Sequence, residues 1–278
     1  MDFFLPLGVA VRAWQSAAVL ALRPSIWVPF LLMILAQLLG LGLLIGFHRD
    51  ALLPIGLPLV ELLGGDVATH YPVFFYALPT MFARYNLAVT ILIASLAGGV
   101  ATLLFARAFG SASGGGAWKA AARRWPALVI LSVVSVGLAL GVGYLSALVP
   151  AELTLGNRIV RWGVRGANLF VFIILQSLLA YTTAWVVLRS RGAWPALRDS
   201  VRVAFNTFLP TFLVIAVPVV LLYPFSYATN RVDWIVSKFR PELVSTVIGV
   251  QLVCEMIAMF LVVGALTRLF LWRVEAAR

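Results

Sequence analysis

Charge is what this chain has least of: 11% of its 278 residues are Asp, Glu, Lys or Arg, where about 25% is usual in soluble domains. Cysteine is confined to Cys254, which excludes an intramolecular disulfide framework and any cysteine-rich metal site. Histidine is nearly absent too. His48 and His70 have no second ligand at helical spacing, and no HExxH, GxSxG, Walker loop or paired carboxylates occur in a credible context. No catalytic residue, metal or cofactor is therefore expected. No polar stretch between the apolar runs is long enough to hold a separate water-soluble core, so residues 1–278 read as a single integral membrane domain. The first residues, Met1-Asp2-Phe3-Phe4-Leu5, put an acid where a signal peptide carries its basic region, so no cleaved signal is expected.

What is present is hydrocarbon. Hydrophobic residues make up 63% of the chain and the mean hydropathy is +1.03, the composition of a protein whose solvent is a bilayer. A helix needs about 20 apolar residues to cross a hydrocarbon core about 30 Å thick. Six segments meet that test: Ile26–Phe47, Leu87–Phe105, Pro126–Val149, Asn168–Leu188, Phe208–Tyr227 and Leu243–Phe270. The expectation is an all-α polytopic membrane protein of about six transmembrane helices.

Six spans return both chain ends to one side. That side carries thirteen of the Lys and Arg residues and the other carries eight, together with six acids. Basic residues alone set orientation, which places both termini in the cytoplasm of a bacterial inner membrane. The net charge of +11 is broken into short clusters between apolar runs, not the aromatic-interleaved stripe that nucleic acid requires. Membrane lipids are the expected partners, with other membrane subunits or self-association, and no nucleic acid.

A pattern recurs before spans 1, 3 and 5: Arg12-Ala13-Trp14, Gly116-Ala117-Trp118 and Gly192-Ala193-Trp194. Each is followed by basic residues, Arg123 and Arg124 in the second and Arg198 in the third, and then by a proline at the mouth of the next span. Trp beside Arg suits an amphipathic helix at headgroup level, because the indole ring is apolar and its N–H needs a wet partner. The spacing predicts three interfacial elbows, each leading a helical hairpin. This arrangement resembles the membrane domain of bacterial glycerophosphodiester phosphodiesterases and related six-helix membrane proteins of unknown function, where short segments with Ala, Trp and Arg or Asn lead into paired spans. The resemblance covers most of the chain and lies in pattern, without a diagnostic motif. It implies no catalytic residue here, because that family's hydrolase activity belongs to a separate soluble domain.

On the far side, Leu52–Val60 is too short and proline-rich to cross and is expected on or in the outer leaflet. Tyr71, Phe74, Phe75, Tyr76, Phe82 and Tyr85 read as a lipid-facing interfacial belt, or else a docking surface. Arg158, Arg161 and Arg165 would share one basic helix face, with phosphates as neighbours. Gly42-x3-Gly46 and Gly137-x3-Gly141, with Ala94, Ser95, Ala97, Gly98 and Gly99 in span 2, signal close helix packing, within the chain or against a partner. Pro210, Pro218 and Pro224 should kink span 5.

One acid enters the bilayer. Glu255 lies one turn from Gln251 on span 6, and Gln37 and Gln176 are the polar side chains at similar depth on other spans. A carboxylate in hydrocarbon must find such partners or lose its charge. Three readings remain open for this cluster: a structural network, a contact with a partner's transmembrane helix, or an ion, proton or substrate site. They map onto two functions, a non-catalytic scaffold or lipid-associated subunit of a larger assembly, and a transporter or permease subunit working through Glu255.

Overall fold

A computed structural model describes residues 4–111, 115–147 and 158–275. Twelve α-helices occur among them, with no strand. Helix α1 (Phe4–Val19) leads through a short 3₁₀ turn at Leu20–Leu22 into α2 (Pro24–Ile45), and α3 (Leu53–Gly64) follows. Helices α4 (Val73–Val89) and α5 (Ser95–Ala108) are joined by a π-helical turn at Thr90–Ala94. Next come α6 (Ala117–Ala147), α7 (Arg158–Leu179), α8 (Thr182–Arg189) and α9 (Ala193–Asn206). The chain continues with α10 (Phe208–Thr229), α11 (Val232–Lys238) and α12 (Leu243–Glu275).

Six of these stretches are long and apolar enough to span a membrane: Pro24–Ile45, Val73–Ala108, Ala117–Leu145, Trp162–Arg189, Phe208–Thr229 and Leu243–Val274. At 1.5 Å per residue even the 22 residues of α2 extend about 33 Å, enough for the hydrocarbon core. The chain is a multi-pass α-helical membrane protein. Neighbouring helices run α2, α5, α6, α7, α10, α12 and back to α2, with α5 also touching α12.

Where the backbone leaves α-helical geometry inside the membrane, specific side chains take up the freed groups, as a water-free environment demands. Two carbonyls of the π turn, those of Thr90 and Leu92, accept hydrogen bonds from α6. Trp125 Nε1 of α6 donates to Leu92 O at 3.0 Å and Ser132 Oγ donates to Thr90 O at 3.2 Å. Span 4 is likewise interrupted, at Ala180 and Tyr181 between α7 and α8. There Ser200 of α9 donates to Leu178 O at 2.8 Å and accepts from Tyr181 N–H at 3.1 Å. Ala196, Ser200 and Ala204, one turn apart and all buried, give α9 the small-residue face that lets it come this close.

Several expectations change at this level. The second span begins at Val73 instead of Leu87, because the helix carries Arg84, Tyr85 and Asn86 without stopping. The aromatics ahead of it are not a lipid-facing belt: Phe74, Phe75 and Phe82 are buried with Val60, Leu78, Met81, Val232 and Ile235, and only Tyr71 and Tyr76 are exposed. Gly56 lets α3 lie against the end of α2, so closely that a Cβ would stand 2.8 Å from the Phe47 backbone and 3.0 Å from Leu43 O. Gly42, Gly137 and Gly141 have no atom within 4 Å of an added Cβ, so they do not mediate packing inside the chain. Close approaches occur at Gly40 and Gly264 and, as its small-residue run suggests, at Gly99 of span 2.

Candidate functional site

The three tryptophan segments do not form three equivalent elbows. Helices α1 and α9 are separate from the spans they precede, whereas Trp118 is the second residue of α6, which runs unbroken through Pro126 into span 3. Arg12, Arg123 and Arg198 are exposed and Arg124 is half-buried. Trp118 and Trp194 are 38% and 68% exposed, positions suited to headgroup contact. Trp14 differs: it is half-buried, and its Nε1 is enclosed without a hydrogen-bond partner among the described residues. Helix α1 packs along α12 and α10. Beneath it opens a groove of about 610 Å³. Val11, Trp14 and Ala18 form one wall, Leu221 and Phe225 of α10 a second, and Ile257 and Leu261 of α12 a third.

The intramembrane polar residues divide into two sets. Gln251 Nε2 donates to Glu255 Oε1 at 2.7 Å, as the one-turn spacing predicts. Gln37, 5% exposed, donates through Nε2 to Asn86 Oδ1 at 2.8 Å. Asn86 and Thr229 line the same cavity of about 140 Å³ as Gln251 and Glu255. Gln37 thus reaches the cluster through Asn86, a residue that hydropathy assigned to the loop before span 2. Gln176 does not belong to it: Gln176 is hydrogen-bonded to Ser135 at 3.2 Å, joining α7 to α6. Glu255 has one charge-compatible donor, and no Lys or Arg lines its cavity.

On the side away from the termini, α7 is helical from Arg158 onward, but the side chains of Arg158 and Arg161 lie outside the described residues. Arg165 is exposed and lines a further cavity with Arg231 of the α10–α11 corner. In α11, Val232 and Ile235 face the core, while Phe239 is 52% exposed. His48 and His70 are exposed, and no group of three His, Cys, Asp or Glu side chains that could hold a metal is present among the described residues.

Fold and site together define a multi-pass helical membrane protein with a half-buried acid, an apolar groove and a basic cavity. No family model matches the chain, and no curated protein or solved structure matches it either.

Proposed function

We propose that this chain is a non-catalytic, lipid-holding subunit of a larger membrane assembly, seated in a bacterial inner membrane with both termini in the cytoplasm. The observation that carries the reading is the groove under α1. Its walls are almost wholly aliphatic and aromatic, and it lies at the depth of the spanning helices, where the only abundant filler is lipid hydrocarbon. An acyl chain is the occupant its shape and chemistry fit. The open glycine faces at Gly137 and Gly141 leave room for a further helix, and the excess of basic residues on the terminal side supports the orientation.

Ala258 lines the groove, so Ala258→Trp is expected to fill it. Native mass spectrometry of the detergent-purified chain should show a retained lipid in the parent and its loss in this variant; equal lipid occupancy in the two would remove the reading. Purification in mild detergent should also bring stoichiometric membrane partners, and a lone chain would remove the assembly half of it.

A second reading, transport through the polar cluster, is favoured by the cavity that Glu255, Gln251, Asn86 and Thr229 share. The interruption of span 4 adds to it, since broken helices accompany many transport sites. Glu255→Gln keeps a group that accepts from Gln251, so folding should change by less than about 1 kcal/mol. Under the lipid-holding reading the variant is silent in cells that depend on the chain. Lost function with an unchanged unfolding midpoint would favour transport instead.

A further inference from the structure

The basic cavity on the side away from the chain ends is separate from both the groove and the polar cluster. Helices α6, α7 and α10 enclose about 500 Å³, with Arg165 and Asn168 on one wall and Tyr227, Asn230 and Arg231 on another. The two arginines are tied together by rings. The Arg165 guanidinium sits 5.8 Å from the centre of Trp162, Trp162 stacks on Tyr227 at 6.1 Å, and the Arg231 guanidinium sits 5.2 Å from the centre of Tyr227. A continuous guanidinium–indole–phenol–guanidinium stack therefore presents two cations to one space.

Among the described residues those cations have no counter-charge. No carboxylate lines the cavity, and the ion pair found among the described residues, Arg191 with Asp199 at 3.6 Å, is elsewhere. The ring faces offset part of the mutual repulsion of the guanidiniums but supply no acceptors for their N–H groups. Asn168, half-buried, makes no hydrogen bond among the described residues, and Asn230 spends one N–H on Ser226 O at 2.8 Å, keeping another. Every polar group named here has a donor to spare, and the complementary ligand is an anion with several oxygens.

Geometry narrows the anion. A guanidinium fork matches the paired oxygens of a phosphate, and a volume near 500 Å³ lies within the usual range for a small ligand. The lining changes character with depth: Leu169 and Phe172 of α7 follow Arg165 toward the membrane centre, opposite Ala139 and Val142 of α6. A wall that is cationic at the interface and apolar one to two turns deeper matches an amphiphile standing in a leaflet. We propose that this cavity binds an anionic phospholipid, its phosphate on Arg165 and Arg231 and the start of its acyl chains against Leu169 and Phe172. The proposal deepens the lipid-holding reading, on whose general premise it rests, at a site separate from the groove.

The test uses the full chain in detergent and follows its thermal unfolding with dioleoylphosphatidylglycerol, dioleoylphosphatidylcholine or inorganic phosphate. Phosphatidylglycerol should stabilise the parent at lower concentration than phosphatidylcholine does. In R165Q/R231Q that preference should fall by about fivefold for each arginine removed. R165K/R231K, which keeps the charge, should retain part of it, and R231Q alone covers the case in which the double variant does not fold. Arg49, on the same side but outside the cavity, provides R49Q, which should behave as the parent. An undiminished preference in R165Q/R231Q would overturn the proposal, as would an equal loss in R49Q or stabilisation by inorganic phosphate without any by phosphatidylglycerol. The groove variant Ala258→Trp separates the two sites: a phosphatidylglycerol preference that survives in it supports the cavity, even where the groove retains no lipid.

Discussion

Replacing Gly264 with valine is expected to lower stability by about 1–3 kcal/mol or more, the usual cost of overpacking a filled interior, and to lift α1 off α12. At this point of α12 a Cβ would stand 2.7 Å from the Ala17 Cβ of α1 and 2.8 Å from Phe105 Cε1 of α5. Neither neighbour has room to yield. Ala17 and Phe105 are fully buried, Ala17 is fixed to its own backbone, and the Phe105 ring is held by Phe260 at 5.1 Å and Phe109 at 6.2 Å. Alanine alone should already be costly at 264. Gly137 and Gly141 provide the contrast, since an added Cβ meets nothing there. Alanine at those positions should be neutral or stabilising by up to about 1 kcal/mol, through the lower helix propensity of glycine. Unfolding midpoints in mixed detergent and dodecyl sulfate measure both, and matching midpoints for Gly264→Ala and Gly137→Ala would show that the three-helix contact is absent. Because α1 roofs the groove, Gly264→Val should also abolish the lipid retention proposed for it.

The glycines show what a sequence withholds. Gly42, Gly137 and Gly141 carry the recognisable small-x3-small spacing yet meet nothing, while a tight crossing occurs at Gly264, which has no such companion. Spacing reports which residues share a face, and only the partner's position says whether that face is used. The same limit applies to the polar cluster. Gln251 with Glu255 was legible because both lie on one helix at a fixed separation. The link from Gln37 to Asn86 was not, because Arg84 and Tyr85 depress local hydropathy and make the span seem to start at Leu87. In the fold Tyr85 reaches back to donate to Ala36 O at 2.8 Å and Arg84 Nη1 donates to Leu63 O, so the polar groups that look like a loop are satisfied within a helix. Number and approximate position of the six spans follow from length and apolarity alone. Pairings between spans, such as Gln176 with Ser135 or Arg165 with Arg231, depend on helix order and rotation, on which composition is silent.

Ser200→Ala is expected to cost about 2–4 kcal/mol, although it removes a single oxygen from a helix that precedes the membrane span. That hydroxyl is the bridge across the interruption in span 4, donating to Leu178 O and accepting from Tyr181 N–H. Without it a carbonyl and an amide stand unpaired in a place with 0% exposure at Ser200 and 1% at Tyr181; each buried orphan costs about 1–3 kcal/mol and no water is at hand to relieve it. Tyr181→Phe tests the same locus by a different bond. Its hydroxyl lies 2.5 Å from Thr211 Oγ1 and 3.2 Å from Thr207 Oγ1, but Thr207 also donates to Val203 O and Thr211 to Thr207 O. Loss of the phenol oxygen leaves those threonines partnered, and the ring keeps its contact with Phe270, so the cost should be near 0.6 kcal/mol, the average for hydrogen bonds between membrane helices. The order of the two variants is the informative result. If Ser200→Ala is as mild as Tyr181→Phe, the break between α7 and α8 closes into continuous helix once the hydroxyl is gone. If Ser200→Ala is the more severe, α9 is what holds span 4 open, and the elbow that precedes span 5 serves to satisfy the backbone of the span before it.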